Sequence, residues 1–411
     1  MTFRRIFATL TGVLLTMPAA VLPPAPAHAA ADVPCPSVSP PVSRPPRPPV
    51  PSADAADRTV GGAALATDGL AVPDGAARPP AITATSWLVA DLDSGAVLGA
   101  CGAHAYALPA STQKLLLAAT VLPKLDPKRV VTVTSQDLDF ERGSSAVGLV
   151  VGGRYSVETL WLGLLLNSGN DAAQVLARLG GGSAGVAGTV SAMNAEAHRL
   201  GARQTHAATP SGLDGPNQFT SAYDLALIAR DCFTNATFRR YTAARTAQMP
   251  AQPPGAKNGF QIQNENSLLF NYPGALGGKT GFTTVARHTY VGVAQRNGRR
   301  LVVTLLNGEA RPLRGWQQGA ALLDWGFARP ADAAVGRLVN PGELDATAGP
   351  PPVQPKAGTQ AVERPSGRGH SGPPSRTILV VVVVLLGAAT LVLTVVAVRT
   401  RPRHAGRRRA R

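Results

Sequence analysis

Leu108-Pro109-Ala110-Ser111-Thr112-Gln113-Lys114-Leu115-Leu116-Leu117-Ala118-Ala119-Thr120-Val121-Leu122-Pro123 is the stretch from which the rest of the chain can be placed. Pro109-Ala110-Ser111 opens a helix, the body from Leu115 to Leu122 is almost wholly apolar, and Pro123 stops it. A helix apolar on every side has no face for water and belongs in the middle of a domain. Residues three apart share a helix face, so Lys114 lies against Ser111. An ammonium at the head of such a helix is costly unless paired or neutralised. A neutral lysine there is a base placed to take the Ser111 proton. The bland alternative is a helix cap beside a snorkelling surface lysine, and S-x-x-K alone does not choose between them.

Outward from this helix, Trp87 to Asp91, the turn Asp93-Ser94-Gly95 and Ala96 to Leu98 read as strand, turn and strand. Helical patterns follow at Val157 to Leu166, Asp171 to Leu179, Val190 to Leu200 and Ala222 to Phe233. Asn297-Gly298 between the apolar runs 292–294 and 301–303 is a strong hairpin signal, and Gly315 to Phe327 is an amphipathic helix. Strand pair, helical block, strand pair, helix is the order of an α+β domain, an antiparallel sheet built from both chain ends around a helical insertion.

The ends of the 411-residue chain have another composition. Residues 1–29 read as a signal peptide: Arg4 and Arg5, the apolar stretch Ile6 to Met17, and the small-residue site Ala27-His28-Ala29. Residues 30–80 are expected to be a Pro-rich extracytoplasmic tether, extended between Pro34 and Pro51, where 9 of 18 residues are proline. The folded domain is expected over 81–340 and a flexible stalk over 341–377. Ile378 to Val398 is an uncharged run of 21 residues, long enough to span a bilayer as a helix, and 399–411 carries seven arginines and no acid. That asymmetry puts the tail in the cytoplasm and the domain outside, a single-pass protein of the cell membrane. A net charge of +16 first suggests nucleic acid as a partner. Export and the confinement of much of that charge to the ends set nucleic acid aside. Hydrophobic content of 45% excludes whole-chain disorder, and 3 cysteines exclude a disulfide-stapled miniprotein or a multi-cysteine zinc site. No His-Glu-x-x-His occurs, and neither a metal nor a cofactor is expected.

Two further motifs lie in the domain. Ser168-Gly169-Asn170 falls between two helical patterns, where a hydroxyl and an amide could shuttle a proton and hold a substrate amide; by itself it reads equally as a turn. Lys279-Thr280-Gly281 follows Gly277-Gly278 and leads into Phe282. Glycines there let another backbone approach, so a substrate could add as an extra strand, with Lys279 and Thr280 meeting an anionic group.

S-x-x-K, S-x-N and K-T-G in this order resemble the superfamily of penicillin-binding proteins and class A β-lactamases. The longer strings 108–114, Asn167-Ser-Gly-Asn-Asp-Ala-Ala173, Thr209-Pro-Ser-Gly-Leu213, Asn264-Glu-Asn-Ser-Leu-Leu269 and 278–283 are similar to the D-alanyl-D-alanine carboxypeptidases, low-molecular-mass penicillin-binding proteins. The resemblance implies a β-lactamase-like fold with an all-helical subdomain. It implies a peptidoglycan stem peptide as substrate and β-lactams as acylating inhibitors. It also assigns roles: Ser111 as nucleophile, Lys114 as its base, Ser168 as proton relay and Asn170 as positioner of the peptide. Lys279 and Thr280 would bind the terminal carboxylate, with Gly281 beside them, and the N–H groups of Ser111 and Phe282 would form the oxyanion hole.

The chain departs from that family in two places. Ala286-Arg287 stands where an alanine-glycine pair is usual, and neither Arg311 nor Arg314 matches the spacing of a carboxylate-binding arginine cleanly. A β-lactamase shares the motifs, but no acid between Ser168 and Lys279 has the Glu-x-x-Leu-Asn context of a deacylating base. A non-catalytic wall-binding relative would be favoured by a broken motif, and all three are intact. Cys232 shares an apolar helix face with Leu225, Ile228 and Ala229 and reads as a buried thiol, leaving Cys35 and Cys101 to pair; Cys101 with Cys232 is the other pairing.

Overall fold

The computed structural model describes residues 32–255 and 257–347. The expected signal peptide, the membrane span 378–398, the tail 399–411 and most of the stalk lie outside the described residues. Among the described residues no helix is long and apolar enough to cross a membrane.

From the N-terminus come the helical turn Ala55–Arg58 (α1), the short strand Leu70–Ala71 (β1) and the pair Ser86–Asp91 (β2) and Ala96–Cys101 (β3). A 3₁₀ turn, Ala110–Gln113, runs directly into Lys114–Val121 (α2). A ribbon of Val130–Thr132 (β4) and Arg154–Ser156 (β5) precedes five helices. These are Val157–Asn167 (α3), Asn170–Gly180 (α4), Gly185–Leu200 (α5), Ala222–Thr234 (α6) and Ala236–Thr242 (α7). A second ribbon, Thr246–Met249 (β6) and Phe260–Gln263 (β7), and the turn Leu268–Asn271 (α8) lead to three long strands. Those are Ala275–Thr283 (β8), Arg287–Arg296 (β9) and Arg299–Gly308 (β10), followed by Gly315–Phe327 (α9) and Gly336–Arg337 (β11).

The main sheet runs β1-β3-β2-β10-β9-β8, with β11 also on β3, every pairing antiparallel. It is thus an α+β fold in which the first strands and the last lie side by side. Alternate residues face opposite layers. Trp87 and Val89 of β2 pack with Leu322, Leu323 and Trp325 of α9, whereas Leu88 and Ala90 face the larger core formed with α2 to α7. Both faces are covered, so β2 is buried at every position. Leu115, Leu116 and Leu117 of α2 are fully buried, each side chain worth roughly 1.5–3 kcal/mol. Asn297 and Gly298 turn β9 into β10 with φ of 49° and 79°, the paired positive angles such a two-residue hairpin requires.

Two boundaries differ from the sequence reading. Residues 32–80 are not a free tether: Cys35 is disulfide-bonded to Cys101 in β3, Val38 N–H donates to the Ile82 carbonyl (2.9 Å), and β1 pairs with β3. The prolines lack N–H groups and keep the segment out of a ladder, as composition indicates. Val38, Arg44 and Arg47 find partners on the domain, which composition cannot show. Residues 341–347 still belong to the fold, since Gly342 N–H donates to the Arg199 carbonyl (2.7 Å) and Glu343–Thr347 is a short helix. Cys232 is the buried free thiol; it donates to the Leu115 carbonyl (3.2 Å), and burial pushes its pKa up.

Candidate active site

α2 begins where the 3₁₀ turn ends, and that junction sets the first contact. Lys114 is completely buried, and its Nζ lies 2.8 Å from Ser111 Oγ, 2.7 Å from Asn170 Oδ1 and 2.9 Å from the Ser211 carbonyl. A neutral amine has two N–H groups and one lone pair. As an ammonium Nζ donates to all three oxygens; in the neutral form the amide oxygen and the carbonyl accept both N–H groups and the lone pair is left for the Ser111 hydroxyl. Burial holds the Lys114 pKa well below the ordinary lysine range, and the nearby Lys279 charge lowers it further.

Asn170 opens α4, and its other side-chain atom, Nδ2, donates to Ser144 Oγ (2.9 Å). Its neighbour Asp171 accepts from Val147 N–H (3.0 Å), Gly148 N–H (2.8 Å) and Leu149 N–H (3.0 Å), tying the segment beside Ser144 to the same helix start. Ser168 caps α3 in the left-handed conformation (φ 58°). That turn faces its hydroxyl to Lys279, whose Nζ donates to Ser168 Oγ (2.9 Å) and to the Thr280 carbonyl (2.8 Å). Lys279 is 2% exposed, and burial lowers its pKa to about 8.

β8 is the edge strand of the main sheet and runs beside Ser111. A Cβ on Gly281 would stand 2.8 Å from Ser111 N and 3.1 Å from Thr112 N, so only glycine lets the strand come this close. Thr289, opposite Gly281 on β9, donates from Oγ1 to the Pro109 carbonyl (2.8 Å) and pins the serine turn to the sheet. Gly212 (φ 87°) backs the turn from behind, where any Cβ would overlap the Ala110 carbonyl oxygen. The string 209–213 therefore supplies both a carbonyl for Lys114 and the room for Ala110, roles its resemblance alone did not reveal. Thr280 and Gly281 line a cleft of about 500 Å³ together with Glu265, Arg311 and Arg314. Phe282, at the end of β8, is 50% exposed.

Of the eight sequence-predicted residues, Lys114 joins Ser111 to Asn170, Lys279 joins Ser168 to the Thr280 carbonyl, Gly281 lies against Ser111 N, and Phe282 stands exposed at the end of the same strand. Ser144, Asp171, Ser211 and Thr289, which contact these residues or the turns that carry them, have no role in the sequence reading.

The comparisons agree with this geometry. Residues 74–310 match the family model described as D-alanyl-D-alanine carboxypeptidase. The chain is 45% identical over 273 residues to the D-alanyl-D-alanine carboxypeptidase DacB2 of Mycobacterium tuberculosis, covering 65% of this chain and 88% of that one. It is 34% identical to DacD of Salmonella typhimurium, covering 64% of this chain and 67% of that protein. The crystal structure of a D-alanyl-D-alanine carboxypeptidase from Mycobacterium tuberculosis H37Rv superposes with a TM-score of 0.61 at 43% identity, over 65% of this chain and 99% of that one. The Streptomyces K15 DD-transpeptidase superposes with a TM-score of 0.59 at 28% identity, over 62% of this chain and 100% of that one. With the S-x-x-K serine beside the buried Lys114, the edge strand against it and the family match over residues 74–310, this chain belongs to the D-alanyl-D-alanine carboxypeptidase family of serine peptidases.

Proposed function

We propose that this serine peptidase removes the terminal D-Ala of peptidoglycan stem pentapeptides through an acyl-enzyme at Ser111, is inhibited by β-lactams at the same oxygen, and works outside the cell from a C-terminal membrane anchor. The observation that carries the chemistry is Lys114: a fully buried amine 2.8 Å from Ser111 Oγ, with both N–H groups taken by uncharged acceptors.

The donor peptide adds as a strand along the open edge of β8. Its terminal carboxylate meets Thr280, the Lys279 charge and the arginines of the cleft, Arg311 and Arg314. Asn170 positions the peptide from the other wall. Ser111 Oγ attacks the penultimate D-Ala carbonyl while its proton passes to neutral Lys114. The oxyanion is held by the N–H groups of Ser111 and Phe282. Collapse breaks the C–N bond, and the proton reaches the leaving D-Ala amine through Ser168, which Lys279 holds in place. Water then hydrolyses the ester with Lys114 again as base, freeing Ser111 and the shortened peptide. A β-lactam follows the same first half and leaves its acyl group on Ser111. The anchor rests on Ile378 to Val398 and the arginine-rich tail behind it, and export on residues 1–29.

Purified enzyme given a D-Ala-D-Ala-ended pentapeptide should yield tetrapeptide and D-Ala and should be labelled by fluorescent penicillin. Ser111→Ala should lose both; release of D-Ala by that variant would overturn the assignment. Protease added to intact cells should remove the domain but spare the tail, and the opposite pattern would overturn the topology.

A further inference from the structure

Arg287 opens β9, directly after the turn from β8. Its φ is 57°, in the left-handed region, where a non-glycine residue persists only when its surroundings over-determine it. Here the surroundings are Glu309, 2% exposed at the end of β10. Arg287 Nε and Nη2 reach its two carboxylate oxygens at 2.9 and 2.8 Å, a bidentate pair. The same carboxylate takes a second cation from a remote part of the chain: Arg44 Nε lies 3.3 Å from Glu309 Oε1, and Arg44 Nη2 donates to the Thr83 carbonyl (2.6 Å). Arg44 belongs to the Pro-rich segment stapled by Cys35–Cys101.

On its other side the Arg287 guanidinium lies over the Phe282 ring, 5.4 Å from its centroid, and that ring also packs on His288 at 4.7 Å. Arg287 pairs with Thr283 in the β8–β9 ladder, and Phe282 pairs with His288. One buried carboxylate therefore fixes the residue that closes the hairpin, and the guanidinium so fixed grips the side chain at the tip of the catalytic edge strand.

We propose that Arg287, locked by Glu309 and by Arg44 of the N-terminal segment, is a positioning residue that holds Phe282 so that its N–H points at the developing oxyanion. This rests on the reading of the Phe282 N–H as an oxyanion donor. The Pro-rich segment is then a working part of the active-site wall. A donor displaced slightly stabilises the transition state less but leaves binding of the peptide's carboxylate unchanged, so the effect belongs in kcat.

The test is the double variant Arg287→Gly/Glu309→Gln of the full chain. It removes the Arg287–Glu309 pair as a unit and places glycine on a backbone that suits it; Arg44, whose side chain is 22% exposed, keeps the Thr83 carbonyl, so the Tm should stay within about 3 °C of wild type. D-Ala release from a D-Ala-D-Ala-ended pentapeptide should show kcat lowered about tenfold with KM within about twofold. Arg44→Ala, which leaves the β8–β9 hairpin untouched, should lower kcat severalfold with KM unchanged. A double variant with wild-type kcat overturns the proposal, as does one in which kcat and Tm collapse together, because the cluster is then only a structural pin. Unchanged kcat in Arg44→Ala overturns the part given to the N-terminal segment. Wild-type protein that neither releases D-Ala nor takes up penicillin would instead sink the underlying catalytic reading.

Discussion

Lys114 Nζ lies 2.8 Å from Ser111 Oγ, and none of its three hydrogen-bond partners is a carboxylate. Burial opposes the ammonium form at this position, and the nearby Lys279 charge opposes it further.

The two lysines set a pH profile. Acylation needs Lys114 without its extra proton, so the rate should rise with pH through the lowered pKa of Lys114. It needs Lys279 as a cation, so the rate should fall as pH passes about 8, the value to which burial lowers that group. The result is a bell whose limbs belong to the coupled pair rather than to either residue. Second-order rates of penicillin labelling at pH about 5 to 10 read it directly; a rate that keeps climbing beyond the upper limb would show that the Lys279 charge is not required.

Asn170→Asp probes the same charge from the other wall. It would set a carboxylate where Oδ1 now lies 2.7 Å from Lys114 Nζ. A neighbouring anion favours the ammonium and should raise the Lys114 pKa. The rising limb of the profile should move to higher pH, and activity near pH 7 should fall at least about tenfold. An unmoved rising limb would mean that it does not report Lys114.

Gly281→Ala tests the approach of β8 to the serine turn. The added methyl would crowd Ser111 N at 2.8 Å, so the strand or the turn must yield. An overpacked core position typically costs about 1–3 kcal/mol, whereas misplacing the reacting groups by about 1 Å can cost about 100-fold in rate. Acylation should therefore suffer far more than thermal stability, and equal losses in both would contradict the role of this contact.

Cys35→Ser opens a covalent loop with a sequence separation of 66. Chain-entropy arguments give a destabilisation of about 4 kcal/mol for a loop of this size. Denaturant midpoints with and without reductant should differ in wild type and coincide in the variant. Cys232 should resist thiol reagents until the domain unfolds, because it is buried and its pKa is raised.

What could be read from the chain divides by distance. Ser111 and Lys114 are three residues apart, and helical spacing alone placed them in contact. The contact of Lys279 with Ser168 spans 111 positions and depends on how β8 meets the end of α3; no local pattern encodes it. Asn297-Gly298 announced its hairpin because the angles it needs are intrinsic to those residue types. Ala286-Arg287 was legible only as a departure, since the positive φ that makes it meaningful belongs to the folded backbone. Nine prolines in residues 34–51 predict an extended chain; the segment holds no helix and a single bridge, Ser37 to Ile82. They say nothing of Glu309, which is 265 positions from the arginine it binds.

The placement of that N-terminal segment changes where the enzyme should be taken to begin. The family match starts at residue 74, and the motif-bearing part starts later still. A protein cut at that boundary would keep Ser111, Lys114, Ser168 and Lys279 and would look complete by its motifs. It would also carry an unpaired, buried Cys101 thiol at the end of β3 and a buried Glu309 with one of its two arginines missing. The shortest fully active chain should therefore be longer than the family signature, and D-Ala release by a chain begun at residue 74 would check it.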